Sequence, residues 1–311
     1  MRSKYSPTLV SRRELLSASL LAGLGRGLAG APLSQIRLGV TTDEIDEDLG
    51  TAIQFLKSYG LSYAEIRNLW GKYNTSLPLD KIREARALLD ANQMRLSVLG
   101  TPFFKVPLPA DTPEGRTALE REWTLLDGAM ERASILGTNT LRTFAFTFKP
   151  GETPDAKSYG RIYELAKEAG QRAKKRNMRL AIENVGGSYV WKGEDSAKLL
   201  KAVKSGNIGL TWDPNNAGEG GEKAFPDGYR LLDPSRILHV HLRDYRHRPD
   251  GKVEWCAVGQ GEFDNLGQIR ALLKDGFKGT FTLETHYRDS KGKAFASKTS
   301  LTALLKIIEQ V

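Results

Sequence analysis

The sequence predicts an α/β protein built as a single (β/α)8 TIM barrel with eight parallel strands, and three observations carry that prediction. From residue 36 onward, short apolar segments alternate with amphipathic helical stretches eight times, the rhythm of consecutive βα units. Four of the apolar segments end in an acid or an imidazole: Glu183, Asp213, His241 and Glu284, at steps of 30, 28 and 43 residues. Within those segments, alternate residues divide into apolar and ionisable sets, as required where one strand face meets helices and the other lines a barrel.

Taken in order, the strands are expected at 36–42, 63–69, 95–101, 140–146, 179–185, 208–214, 237–243 and 280–286. Between them the 3.6-residue pattern is clearest at 78–92, 115–136, 155–176, 194–204, 264–275 and 294–309. Asp80 and Asp264 stand where caps are wanted, and Gly137, Gly206 and Gly276 follow helix ends. The Gly-rich stretch 217–235 predicts only a short helix. Parity places Leu238, Val240 and Leu242 outward and His239, His241 and Arg243 inward. It turns Leu180, Ile182, Leu210, Trp212, Phe281 and Leu283 toward the helices, leaving Glu183, Asp213, Thr282, Glu284 and His286 inside. Glu65, Arg67 and Arg142 follow the same inward phase.

The N-terminus reads as a separate unit. Ser11-Arg12-Arg13-Glu14-Leu15-Leu16 precedes an apolar, small-residue run that ends near Ala29-Gly30-Ala31, a pattern that resembles a twin-arginine export signal. The expected division is therefore a signal peptide over 1–31 and a barrel domain over 32–311, exported to the periplasm by machinery that handles folded proteins. The run is too short and Gly-rich for a stable membrane span. Of the formal net charge of +9, four units sit in residues 1–31, so the remainder is mildly basic and charge makes no case for a nucleic-acid partner. A lone cysteine, Cys256, rules out a disulfide framework or thiolate cluster within the chain. Homo-oligomerisation is compatible with the sequence.

Ionisable groups converging inside a barrel must compensate one another. A divalent cation does so for Glu183, Asp213, His241 and Glu284, whose oxygen-rich donor set suits Mn, Co, Mg or Zn. His241 lies nearer the C-terminal mouth than His239, which is expected behind it as a supporting group. Arg142, Asn184, Asn215, Arg243, His286 and Glu65 are the expected substrate contacts. His247 reads as a solvated loop residue.

The motifs AIEN, TWDPNN, HVHLRD, VGQGEFD and FTLETH resemble those of the sugar phosphate isomerase/epimerase superfamily, the xylose-isomerase-like barrels, over about 36–311. The resemblance implies that Glu183, Asp213, His241 and Glu284 hold the metal ion. It also implies that Glu183 and Glu284 act as base and acid next to a sugar carbonyl, with an enediolate steadied by the cation. Three positions depart from the family pattern. Arg243 replaces a lysine, Asn216 stands where ketose 3-epimerases carry histidine, and Tyr189 where they carry a second glutamate. The leading expectation is a divalent-metal-dependent isomerase or epimerase of a sugar or keto-sugar, with a carbohydrate as small-molecule partner. The alternatives are a lyase or hydrolase of 3-keto-glycosides, an inosose-type dehydratase, and a non-catalytic sugar-binding barrel. AP endonucleases share this fold, but no histidine precedes residue 239 to build their histidine-rich sites.

Overall fold

Eight parallel strands close into a barrel: β1 (Leu38–Thr41), β2 (Tyr63–Ile66), β3 (Arg95–Gly100), β4 (Thr140–Thr143), β5 (Arg179–Glu183), β6 (Ile208–Trp212), β7 (Ile237–Leu242) and β8 (Thr280–Leu283). Neighbours in sequence are neighbours in the sheet, and β1 completes the ring against β8 through Leu38↔Phe281 and Val40↔Leu283. This computed structural model describes residues 36–149, 151 and 154–311. The export segment expected over 1–31 lies outside the described residues.

Around the barrel run α1 (Leu49–Ser58), α2 (Leu79–Ala91), α3 (Pro113–Leu136), α4 (Ala156–Lys175), α5 (Gly193–Ala202), α6 (Pro214–Glu219), α7 (Asn265–Lys274) and α8 (Lys293–Ile308). Asp48, Thr112, Asp155 and Asp264 cap α1, α3, α4 and α7 by accepting from a first-turn backbone N–H, which satisfies donors the helix itself leaves open. Gly137 ends α3 at φ 80°, a left-handed conformation that glycine adopts without strain. Two expected caps sit elsewhere. Asp80 lies inside the first turn of α2, with Pro78 at the cap position, and α5 stops at Ala202, before Gly206.

The outward strand residues form the core: Val40, Ile66, Leu99, Leu141, Ile182, Trp212, Leu242 and Leu283 are all buried against the helices. Leu238 departs from the expected parity. The pairing of β6 with β7 slips between Leu210↔Ile237 and Thr211↔His239, so Ile237 takes the outward place and Leu238 is the extra residue of a bulge. Strands also end earlier than the apolar pattern suggests. Asp213 caps α6, while Glu284 and His286 follow β8, His286 with φ 41°.

After β7, where His247 reads from sequence as a loop residue, the chain forms a hairpin in which Asp244–His247 pairs with Val253–Cys256. A smaller hairpin pairs Asn68–Leu69 with Lys72–Tyr73. Among the described residues no helix is long and apolar enough to cross a membrane. A concavity of about 1280 Å³ opens at the N-terminal end of the barrel beside Arg37, Arg95, Arg179 and Lys278, away from the strand ends that carry the converging carboxylates.

Candidate metal centre

At the C-terminal end, Glu183 closes β5, Asp213 follows β6, His241 lies in β7 and Glu284 follows β8; each offers an atom within 4.8 Å of the others. All four are buried. Strand register sets their common height: Glu183 pairs with Thr211 and His241 with Thr282, which puts Asp213 and Glu284 immediately above. Asp213 is oriented by the turn it begins. Its Oδ1 accepts from the N–H groups of Asn215 (2.9 Å) and Asn216 (3.0 Å), and Pro214 at the first helical position costs no hydrogen bond.

Nδ1 of His241 faces Glu284 Oε2 at 3.3 Å, Glu183 Oε1 at 3.5 Å and Asp213 Oδ2 at 4.0 Å. It has no hydrogen-bond partner among the described residues. An orphaned ring nitrogen beside three carboxylate oxygens, all buried, is unfavourable by itself. One nitrogen and three oxygen donors arranged in this way fit a divalent cation.

Beneath this cluster, Glu65 Oε2 lies 2.8 Å from Nε2 of His239 and 3.0 Å from Nε2 of His241. A carboxylate only accepts, so Nε2 is the donor on both rings and Nδ1 of His241 is left to face the three acids. Glu65 was expected to meet substrate; instead it is wholly buried, with an oxygen in contact with two histidines.

The other expected contacts divide in the same way. Asn184 spends its amide on the backbone, donating to Asp213 O (2.7 Å) and Trp191 O (3.0 Å) and accepting from Asp213 N (2.8 Å). Arg142 donates to Glu183 Oε2 at 2.9 Å. Arg243 is buried, forks between Asp213 Oδ2 and Asn216 Oδ1 at 2.6 Å each, and also meets Nδ1 of His286. Its guanidinium is therefore committed to a carboxylate of the cluster. Asn215 is buried with both side-chain amide atoms unpaired among the described residues. His286 stays one-third exposed, with Nε2 3.6 Å from Glu284 Oε1. His247 is exposed and pairs with Glu262 at 2.8 Å.

Several groups were given no place in the site from sequence. Arg67 follows β2 and donates to Glu284 Oε1 (2.9 Å), Asp43 Oδ2 and Glu44 Oε1. Asn216 donates to Asp213 Oδ2 at 3.1 Å. Lys105 is exposed as a residue, while its Nζ is drawn to 4.6 Å from the centre of the Phe144 ring. Inward parity was the available signal for Arg67; Lys105 comes from a loop and gives no periodic signal.

Burial opposes charge on every acid in the cluster, and neighbours decide the outcome. Arg142 and His241 hold Glu183 below the usual carboxylate range. His286 and His241 hold Glu284 well below it, and His241 and His239 do so for Glu65. Burial pushes Asp213 up, opposed by Arg243. His241 is disfavoured as a cation by burial, yet Glu65 and Glu284 raise it well above the ordinary imidazole value. His239 is lowered by burial. Burial also pulls down the Lys105 ammonium and pushes up the Tyr73 phenol.

Fold and site together define a (β/α)8 barrel with a carboxylate–imidazole cluster at its C-terminal mouth. The chain belongs to the Xylose isomerase-like TIM barrel family, whose profile matches residues 53–307. Among solved structures it is similar to IOLI protein with a binding zinc atom (TM-score 0.73, 17% identity, 88% of this chain and 99% of that one). It is also similar to D-allulose 3-epimerase from Methylomonas sp. in complex with D-allulose (0.69, 17%, 89% and 97%). A third is a Xylose isomerase-like TIM barrel protein from Mycobacterium smegmatis in complex with magnesium (0.64, 16%, 89% and 96%). No curated protein sequence matches the chain.

Proposed function

We propose that the protein is a divalent-metal-dependent isomerase or epimerase of a sugar or keto-sugar, acting by proton transfer at a carbon next to a carbonyl. The observation that carries this reading is the convergence of Glu183, Asp213, His241 and Glu284 around an unpaired imidazole nitrogen. Solved structures of the same fold with zinc, with magnesium and with D-allulose support it. Those four residues would hold the ion, which would supply Lewis-acid polarisation to a substrate carbonyl and the hydroxyl beside it.

The chain's own residues perform the proton chemistry. Arg142 and Arg67 each hold one oxygen of Glu183 or Glu284 at 2.9 Å, which fixes the carboxylates in orientation and keeps them ionised. Either glutamate can therefore begin as the base. The opposite glutamate, after taking a proton from solvent, delivers it to the other face of the same carbon and inverts it, while the first releases the abstracted proton to solvent; delivery to the neighbouring carbon, with a proton passing between the two oxygens, moves the carbonyl. Export through a twin-arginine signal over 1–31 belongs to this proposal and favours unphosphorylated sugars as substrates.

The test is solvent-deuterium exchange into D-allulose and D-fructose, followed by NMR with the metal-loaded protein. Glu284→Gln is expected to slow exchange by about 10²–10⁴-fold with the circular dichroism spectrum intact. Exchange at the wild-type rate would remove Glu284 from the proton path.

A further inference from the structure

Outside the metal centre lies a second cavity of about 460 Å³, within the size range of small-molecule sites. None of Glu183, Asp213, His241 or Glu284 lines it, so a single ring engaged at the centre leaves it open. It nevertheless adjoins that centre directly. Asn216, Arg243 and His286 line it; the first two bond Asp213, and the third lies 3.6 Å from Glu284.

Its lining combines two indoles and two glycines with the side chains of Val185, Asn216, Glu219, Arg243 and His286. Trp191 and Trp255 stand in the lining, with Gly186 and Gly187 between the residues of the β5 end and Trp191. The Trp191 ring is fixed: its N–H donates to Asn216 O at 2.8 Å, and a Cβ on Gly220 would come within 3.0 Å of the indole. The Trp255 ring is also fixed. The Arg243 guanidinium stacks 4.0 Å from its centre, and His286 meets it edge-on at 5.8 Å. Arg243 thus lies over the Trp255 ring, Tyr245 packs edge-on to it at 6.4 Å, and the residue is half-buried in the cavity lining. Two immobilised indoles beside a reaction centre offer flat, weakly polar faces at little entropic cost. Such faces suit the C–H surface of a pyranose or an aryl ring.

We propose that the cavity between Trp191 and Trp255 is a subsite for a second ring carried by the substrate, so that the reacting sugar is a keto-sugar, its carbonyl away from the anomeric carbon, that enters as part of a glycoside. The ring is a second sugar or an aryl group, joined through the glycosidic oxygen. This inference rests on the assignment of the metal centre as the sugar-reacting site.

Binding, rather than turnover, tests it. D-glucose, maltose and phenyl β-D-glucopyranoside are titrated into the full metal-loaded protein and followed by saturation-transfer NMR. Maltose or phenyl glucoside is expected to bind roughly tenfold more tightly than glucose, as one added stacked ring would give. Preference for maltose identifies a sugar as the second ring, and preference for the phenyl glucoside an aryl group. Trp255→Ala should abolish the preference and Trp255→Phe should retain most of it, with Trp191→Phe as a second variant should Trp255→Ala not fold. Equal binding of all three probes, no binding of either two-ring probe, or equal weakening of all three by Trp255→Ala would overturn the subsite. Loss of deuterium exchange with the two-ring preference intact would instead remove the proposed chemistry and leave the subsite standing.

Discussion

At the level of single residues, Glu65 shows how a group that faces no solvent can govern the site. One oxygen takes Nε2 of both His239 and His241, and the donor role this gives His241 is what leaves Nδ1 toward the acids. Replacing Glu65 with glutamine keeps the shape but removes the charge that orients the donors. Metal affinity should fall by about 10–100-fold, as for other supports of a ligand histidine; equilibrium dialysis with Mn or Zn measures it, and unchanged affinity would exclude this role. The raised pKa of His241 has a second consequence. In the ion-free protein its protonated form contributes stability that is fully present below the ordinary imidazole value and lost as pH rises through the raised one. A cation must displace that proton, so binding should release about one proton at neutral pH and weaken as pH falls. Calorimetry in two buffers of different ionisation enthalpy reads the number directly. Inward parity at the ends of successive strands made the four clustered residues legible. Parity also pointed Glu65 inward, but it gives no height along the barrel axis, so a residue under the site and one at its lip look alike.

Elements depart from the sequence pattern where pairing stops being regular. The bulge that displaces Leu238 leaves no trace in composition, since Ile237 and Leu238 are equally apolar. The hairpin after β7 was hidden for a different reason: RHRPDGKVEW is charged and turn-rich, with too few apolar residues to alternate. Asp244 anchors this hairpin to the barrel. Its carboxylate accepts from the backbone N–H of Tyr245, Gly259, Gly261 and Phe263, and a Cβ on Gly261 would fall 2.1 Å from its Oδ1. Asp244→Ala would leave these amides without their shared acceptor. A loss of about 2–4 kcal/mol is expected from chemical denaturation, together with faster amide exchange across 244–262; native stability in the variant would show that the hairpin is held by other contacts.

On the scale of the molecule, the alternation of eight strand and helix signals sufficed for the barrel, because each βα unit carries its own amphipathic pattern and a closed sheet follows from the count. The short strands and mouth loops, by contrast, are set by contacts between distant segments, such as Arg67 with Glu284. The N-terminal thirty-one residues are a separate matter, with five basic side chains against one acid. Substitution of Arg12 and Arg13 by lysine is expected to retain an uncleaved chain in the cytoplasm, as seen by fractionation and mass spectrometry. Normal processing of that variant would remove the twin-arginine assignment.

The support of His241 from underneath separates two kinds of change. Because the imidazole is aimed by Glu65 and not by anything at the rim, exchanging the segments carrying Trp191 and Trp255 would leave His241 as it is, while Asp213 would feel the change through Asn184, Asn216 and Arg243. A library confined to those rim segments would vary the cavity walls with His241 still held from below, whereas one that reached down to Glu65 would release both imidazoles at once.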